Sequence, residues 1–162
     1  MTANTETEPK KLRLWGTDAE DLAVISTCLQ DAVTCLADMA YVPHERRFAL
    51  MLNRFRWEGT QADGEAAERV RSGLHFEGVS HVQRRDLPAT KTHPLELLAI
   101  HANEDGEHAV ITFVFAGGGA IRLEAECVDC QLRDVSAPWP AKSVPRHAGL
   151  GMESAETADS RK

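Results

Sequence analysis

A chain of 162 residues with 43% hydrophobic content has the length of one ordinary domain and enough apolar material for a core. It holds no apolar run near the roughly 18 residues that a membrane-spanning helix needs. A formal net charge of −7 argues against a nucleic-acid module, because affinity for phosphates requires clustered cations.

Residues 1–10 have almost no apolar content and predict a disordered arm. Their acids precede their lysines, without the basic-then-apolar order of a secretory signal, so the expectation is a cytoplasmic protein without a membrane partner. Leu12, Leu14 and Trp15 open the domain as a short strand. Thr17 stands three residues before Glu20, the spacing of a capping box. Leu22, Ile25, Cys28 or Leu29, and Ala32 or Val33 then recur at helical steps, predicting one amphipathic helix over about residues 18–32.

From there the apolar period changes to two. Residues 38–42 read as a strand and 43–46 as a turn begun by Pro43. Phe48, Leu50 and Leu52 alternate, but Phe55 and Trp57 continue one step out of phase, which predicts a β-bulge near Asn53 and Arg54. Residues 58–71 lose the pattern and read as a loop. Leu74 and Phe76 start a strand running to about Arg84, a connection with Pro88 and Pro94 follows, and residues 95–102 form the next strand. Residues 110–115 are the clearest strand, and Gly117 to Gly119 turn the chain into its antiparallel return along Ile121, Leu123, Ala125 and Cys127. Residues 128–135 favour a short helix over a continued strand.

No βαβ alternation appears, so the expected class is α+β: an N-terminal helix followed by a mostly antiparallel sheet, or partly open barrel, of about six to seven strands. The domain is expected over 11–136. Residues 137–162 read as a Pro-rich, largely disordered tail from which Trp139 folds back onto the domain, since so large an aromatic is seldom left exposed.

The short motifs have structural explanations. Cys127 and Cys130 form a CxxC, but positions three apart in a strand face opposite sides, and Asp129 disfavours a thiolate. With Cys28 and Cys35 they make four thiols, expected to be free in a reducing compartment. The triple glycine joins two strands rather than a strand and a helix, so it reads as a hairpin turn and not as a phosphate loop. Among the seven histidines, His75 and His81 share a face with Glu77 if their strand is unbroken, which makes them the best available metal or acid–base trio. No serine elbow or carboxylate pair names a catalyst. No cofactor is implied.

Charge is unevenly spread. Residues 1–40 carry three basic against seven acidic side chains and residues 86–136 three against nine, whereas residues 41–85 carry eight arginines against six acids. Arg46 and Arg47 in the first hairpin turn, with Arg54 and Arg56 on the next strand, form the densest basic group. They are the expected binding surface, unless they pair with acids across the sheet.

Several stretches also carry a resemblance: Glu20 to Ser26 (EDLAVIS), Glu45 to Leu50 (ERRFAL), Asn53-Arg54-Phe55, and Phe115 to Glu124 (FAGGGAIRLE). Over about residues 12–140 the chain resembles a short alphaproteobacterial family catalogued as a domain of unknown function. The resemblance implies a bacterial cytoplasmic protein, often encoded near enzymes of cell-wall precursor and histidine synthesis, and it brings no catalytic residue. The combined expectation is a non-catalytic binding module with an arginine-bearing hairpin, its partner a protein or an anionic small molecule. The alternatives are a small enzyme or metal protein using His75, Glu77 and His81, and a homo-oligomer joined through a free strand edge.

Overall fold

The computed structural model describes residues 10–59 and 67–142. Most of the expected N-terminal arm, part of the loop at 58–71 and most of the tail therefore lie outside the described residues. The elements are β1 (Arg13–Gly16), α1 (Ala19–Cys28), β2 (Val33–Thr34), β3 (Met39–Val42), β4 (Arg47–Phe55), β5 (Glu68–Phe76), β6 (Val79–Arg85), β7 (Leu95–Glu104), β8 (Ala109–Phe115), β9 (Ala120–Ala125), β10 (Cys130–Asp134) and β11 (Trp139–Pro140). The α+β class holds, but the sheet is open and has 11 strands rather than six or seven.

Its order is β1-β10-β5-β4-β2-β7-β8-β9-β6, with β3 also on β4 and β11 on β5. Every described pairing is antiparallel. Two-residue β2 joins the two halves, because Val33 pairs with both Asn53 of β4 and Glu96 of β7. The halves fold over one core. Phe48 and Phe76 of one half meet the Phe113 ring of the other edge-on at 5.9 and 5.6 Å. Such edge-to-face contacts add about 0.5–1.5 kcal/mol to the burial of the rings.

Helix α1 begins one residue later than the capping box suggests. The Asp18 carboxylate accepts from the Asp21 amide at 2.8 Å, while the Asp21 carboxylate accepts from the Thr17 amide at 2.9 Å. Leu22 and Ile25 are buried, and Ser26 Oγ accepts the Ile100 amide of β7 at 2.9 Å. The helix stops at Cys28, short of residue 32, because the chain turns to pair with β7. Asp31 takes a left-handed φ of 65°, and its amide donates to the Leu97 carbonyl.

Three further expectations change. The bulge near residue 53 is absent: β4 runs in unbroken register with β5 from Phe48↔Phe76 to Phe55↔Arg69. Phase is kept because Arg54 takes the inward position after Phe48, Leu50 and Leu52. Phe55 is instead buried on the other face, under the Arg69 guanidinium at 3.9 Å. The strand expected from Leu74 to Arg84 starts at Glu68, inside the expected loop, and is two strands in different halves, separated at Gly78, whose φ of +70° an L side chain rarely adopts. Residues 130–134 are strand β10, not a helix, because they fill the slot between β1 and β5. Trp139 does fold back, pairing with Arg69.

Candidate functional site: the outer face of the first half

Alternation assigns each residue of β1, β10, β5, β4 and β3 to one of two faces. Phe48, Leu50, Leu52, Leu74, Phe76 and Leu132 turn inward and are buried. On the outward face, register aligns Trp15, Gln131, His75, Ala49 and Ala40 in one row across five strands. The neighbouring row is Arg13, Arg133, Gly73 and Met51.

The two rows enclose an open valley of about 530 Å³, lined by Met39, Ala49, Met51, Gly73, His75 and Arg133 among others. Small residues, Ala49 and Gly73, are part of its lining. A Cβ added at Gly73 would come within 3.4 Å of Met51 Sδ. At one end Trp15 remains 63% exposed, with the Arg13 guanidinium 5.6 Å from its ring centroid, a cation–π contact. At the other end Asp38 is committed to Arg71 at 3.5 Å.

Arg13 and Arg133 stand directly opposite each other on neighbouring strands. Like charges so placed destabilise a sheet. Among the described residues neither has a carboxylate partner. An anion received between them would remove that repulsion, and the apolar floor beside it suits a partner that is not wholly polar.

The arginines singled out from the sequence are placed differently. Arg46 pairs with Glu126 at 2.6 Å, Arg47 with Glu77 at 2.7 Å, and Arg56 with Glu68 at 3.0 Å. Arg54 does not share an exposed face with Arg56. It is fully buried, gripped by Asp134 through Nε and Nη2 at 2.9 and 2.8 Å and by Glu58 at 2.6 and 3.1 Å. Asp134 also accepts from Ser72 Oγ at 2.7 Å and the Leu12 amide at 2.8 Å. Burial opposes ionisation of Asp134, but the bonds from Arg54 and Ser72 outweigh it and hold the carboxyl below its ordinary range. Glu58 is likewise held low: burial opposes, and Arg54 prevails. Arg54 itself is pushed up, since its hydrogen bonds to Glu58 and Asp134 overcome desolvation. The cluster ties β4, β5, β10 and the lead into β1 together.

The trio of His75, Glu77 and His81 is not assembled. His75 lies on β5 in the valley with Nε2 3.6 Å from Glu77, which Arg47 also holds, whereas His81 lies on β6 in the other half, in backbone register with Glu124 of β9. The corner at Gly78 separates His81 from the other two. Among the described residues no group of three or more His, Cys, Asp or Glu side chains is placed to hold a metal. Cys127 is exposed and Cys130 buried, its thiol pushed up to about 12 by burial first and Asp129 second. Gly117 and Gly118, with φ of 90° and 94°, form the turn of the β8–β9 hairpin.

Sequence reasoning missed Arg13, Trp15 and Arg133. The alternation of Leu12 and Leu14 with Arg13 and Trp15 already assigns the latter two to an outward face. A helix over 128–135 gives Arg133 no assigned face, whereas strand β10 sets it opposite Arg13.

Residues 12–147 match the family model described as "Protein of unknown function (DUF2948)", and the chain belongs to that family. No curated protein and no solved structure matches it. Among the described residues no helix is long and apolar enough to cross a membrane.

Proposed function

We propose that the chain is a non-catalytic interaction module that docks an acidic, partly apolar segment of a partner protein on the outer sheet face. The observation that carries this reading is the facing pair Arg13 and Arg133, left without a carboxylate beside an open valley. The residue types around it, Trp, Arg and Met, are those enriched in protein interfaces. The open form favours a protein segment over an enclosed small anion.

This keeps the class of partner expected for the arginine hairpin but moves the contact. Arg46, Arg47, Arg54 and Arg56 already have carboxylates, so a partner would have to displace them. Affinity capture from the organism that makes the chain tests the reading. Arg13→Glu with Arg133→Glu should remove the partner, and Arg46→Glu with Arg47→Glu should leave it. An unchanged partner set in the first variant contradicts the proposal.

A further inference from the structure

A second surface lies where the two halves meet along free strand edges. Among the described residues β6 ends the sheet and pairs only with β9, while β3 pairs only with β4. At one end these edges are drawn together. The Val79 amide donates to the Arg46 carbonyl at 2.8 Å, and Tyr41 Oη donates to the Val79 carbonyl at 2.9 Å. Farther along they part around a groove of about 570 Å³, with Leu36, Met39, Tyr41, Phe48 and Val82 among its walls. Phe48 belongs to the buried core, so the groove reaches the molecule's apolar interior.

Two cations line the same groove, Arg84 and Lys91. Arg84 is two residues beyond Val82 on β6, and the pair sits in register with Ile121 and Leu123, both inward-facing and buried. Alternation therefore turns Arg84 toward the groove, where an apolar residue would be the ordinary choice. Edge strands often carry cations that deter pairing with another chain. Arg85, which alternates outward, fits that role and Arg84 does not. Lys91 is brought in by its own backbone, whose carbonyl accepts the Ala37 amide at 2.9 Å. Among the described residues neither side chain has a hydrogen bond or ion pair.

From this arrangement we infer that the seam binds a single-chain amphiphile with an anionic head, of the long-chain carboxylate class. The chain lies against Phe48, Val82 and Met39, where burying its methylenes drives binding. The carboxylate meets Arg84 and Lys91. Both halves of the ligand are needed, since the walls lack charge and the cations lack enclosure. The groove shares Met39 with the outer-face valley, but neither Arg13 nor Arg133 lines it.

The test is calorimetric titration of the whole chain with dodecanoate below its micellar concentration, beside the uncharged dodecanol. Wild type is expected to bind dodecanoate saturably. Arg84→Glu with Lys91→Glu should weaken binding by about tenfold or more, the scale of losing a paired charge. Arg13→Glu with Arg133→Glu should leave it unchanged, and Val82→Trp, which fills the groove from its wall, should abolish it. Dodecanol should bind more weakly than dodecanoate. Three results would each overturn the inference: no saturable binding by wild type, equal binding by the Arg84/Lys91 variant, or loss only in the Arg13/Arg133 variant. The last would assign the amphiphile to the outer face.

Discussion

Two groups of cations differ in what surrounds them. Arg54 is fully buried and satisfied, with two carboxylates and a backbone carbonyl around one guanidinium. Arg13 and Arg133 are exposed, face each other, and have no acid among the described residues. The difference separates structure from recognition. A buried ion pair is costly to break but offers nothing to a ligand, whereas an exposed like-charged pair is cheap to keep and is relieved by an incoming anion.

The largest effect is expected inside. Asp134→Ala leaves Arg54 with Glu58 and the Phe55 carbonyl and strips Ser72 and the Leu12 amide of their acceptor, which should cost about 3–5 kcal/mol in urea unfolding. Replacing both partners, Arg54→Met with Asp134→Leu, should recover much of that loss, because no charge is then left buried without a partner. A single-variant loss under about 1 kcal/mol would reduce the cluster to the worth of a surface pair and erase the contrast.

The same cluster sets an acid limit. Asp134 and Glu58 are held below their ordinary values, so the unfolded chain takes up protons first as pH falls. Their contribution is fully present above the unfolded values of about 4 and is lost as pH drops through the lower folded ones. Stability measured from neutral pH downward should hold to that region and then fall. Asp134→Asn, starting lower, should fall less steeply, and equal slopes would contradict the assignment.

On the outer face the expected changes concern binding more than folding. Arg13→Glu with Arg133→Glu should shift stability by no more than about 0.5 kcal/mol, the range of ordinary surface substitutions. Smallest of all are the hairpin arginines. Arg46 and Arg47 are nearly half exposed, so Arg46→Ala or Arg47→Ala should each cost under about 1 kcal/mol by thermal unfolding. A larger cost would make the hairpin a structural clamp comparable to Arg54.

How far the sequence carried the reading depends on what each residue could signal alone. Leu22 and Ile25 announced the helix, and the alternation of Ile121 and Leu123 announced a strand, because burial follows local period. The phase slip at Phe55 was visible but ambiguous: a bulge and a buried arginine produce the same apolar pattern, and only Asp134, 80 residues away, decides between them. Gly78 hid a corner inside what reads as one strand, and with it the separation of His75 from His81. Segment totals misled in a similar way. Arg13 and Arg133 sit in the two stretches with the largest acidic excess, and strand pairing brings them together where no sum along the chain can show it.

The most direct test of the central claim uses Trp15, which is exposed beside Arg13, as a reporter. Its fluorescence would be titrated with a peptide of alternating Glu and Leu, with Trp15→Phe identifying its share of the signal. The account predicts saturable quenching or enhancement in wild type and in Arg46→Glu with Arg47→Glu, and a loss of about tenfold or more in affinity in Arg13→Glu with Arg133→Glu. Binding that survives reversal of Arg13 and Arg133, or that disappears with Arg46 and Arg47 instead, would contradict it.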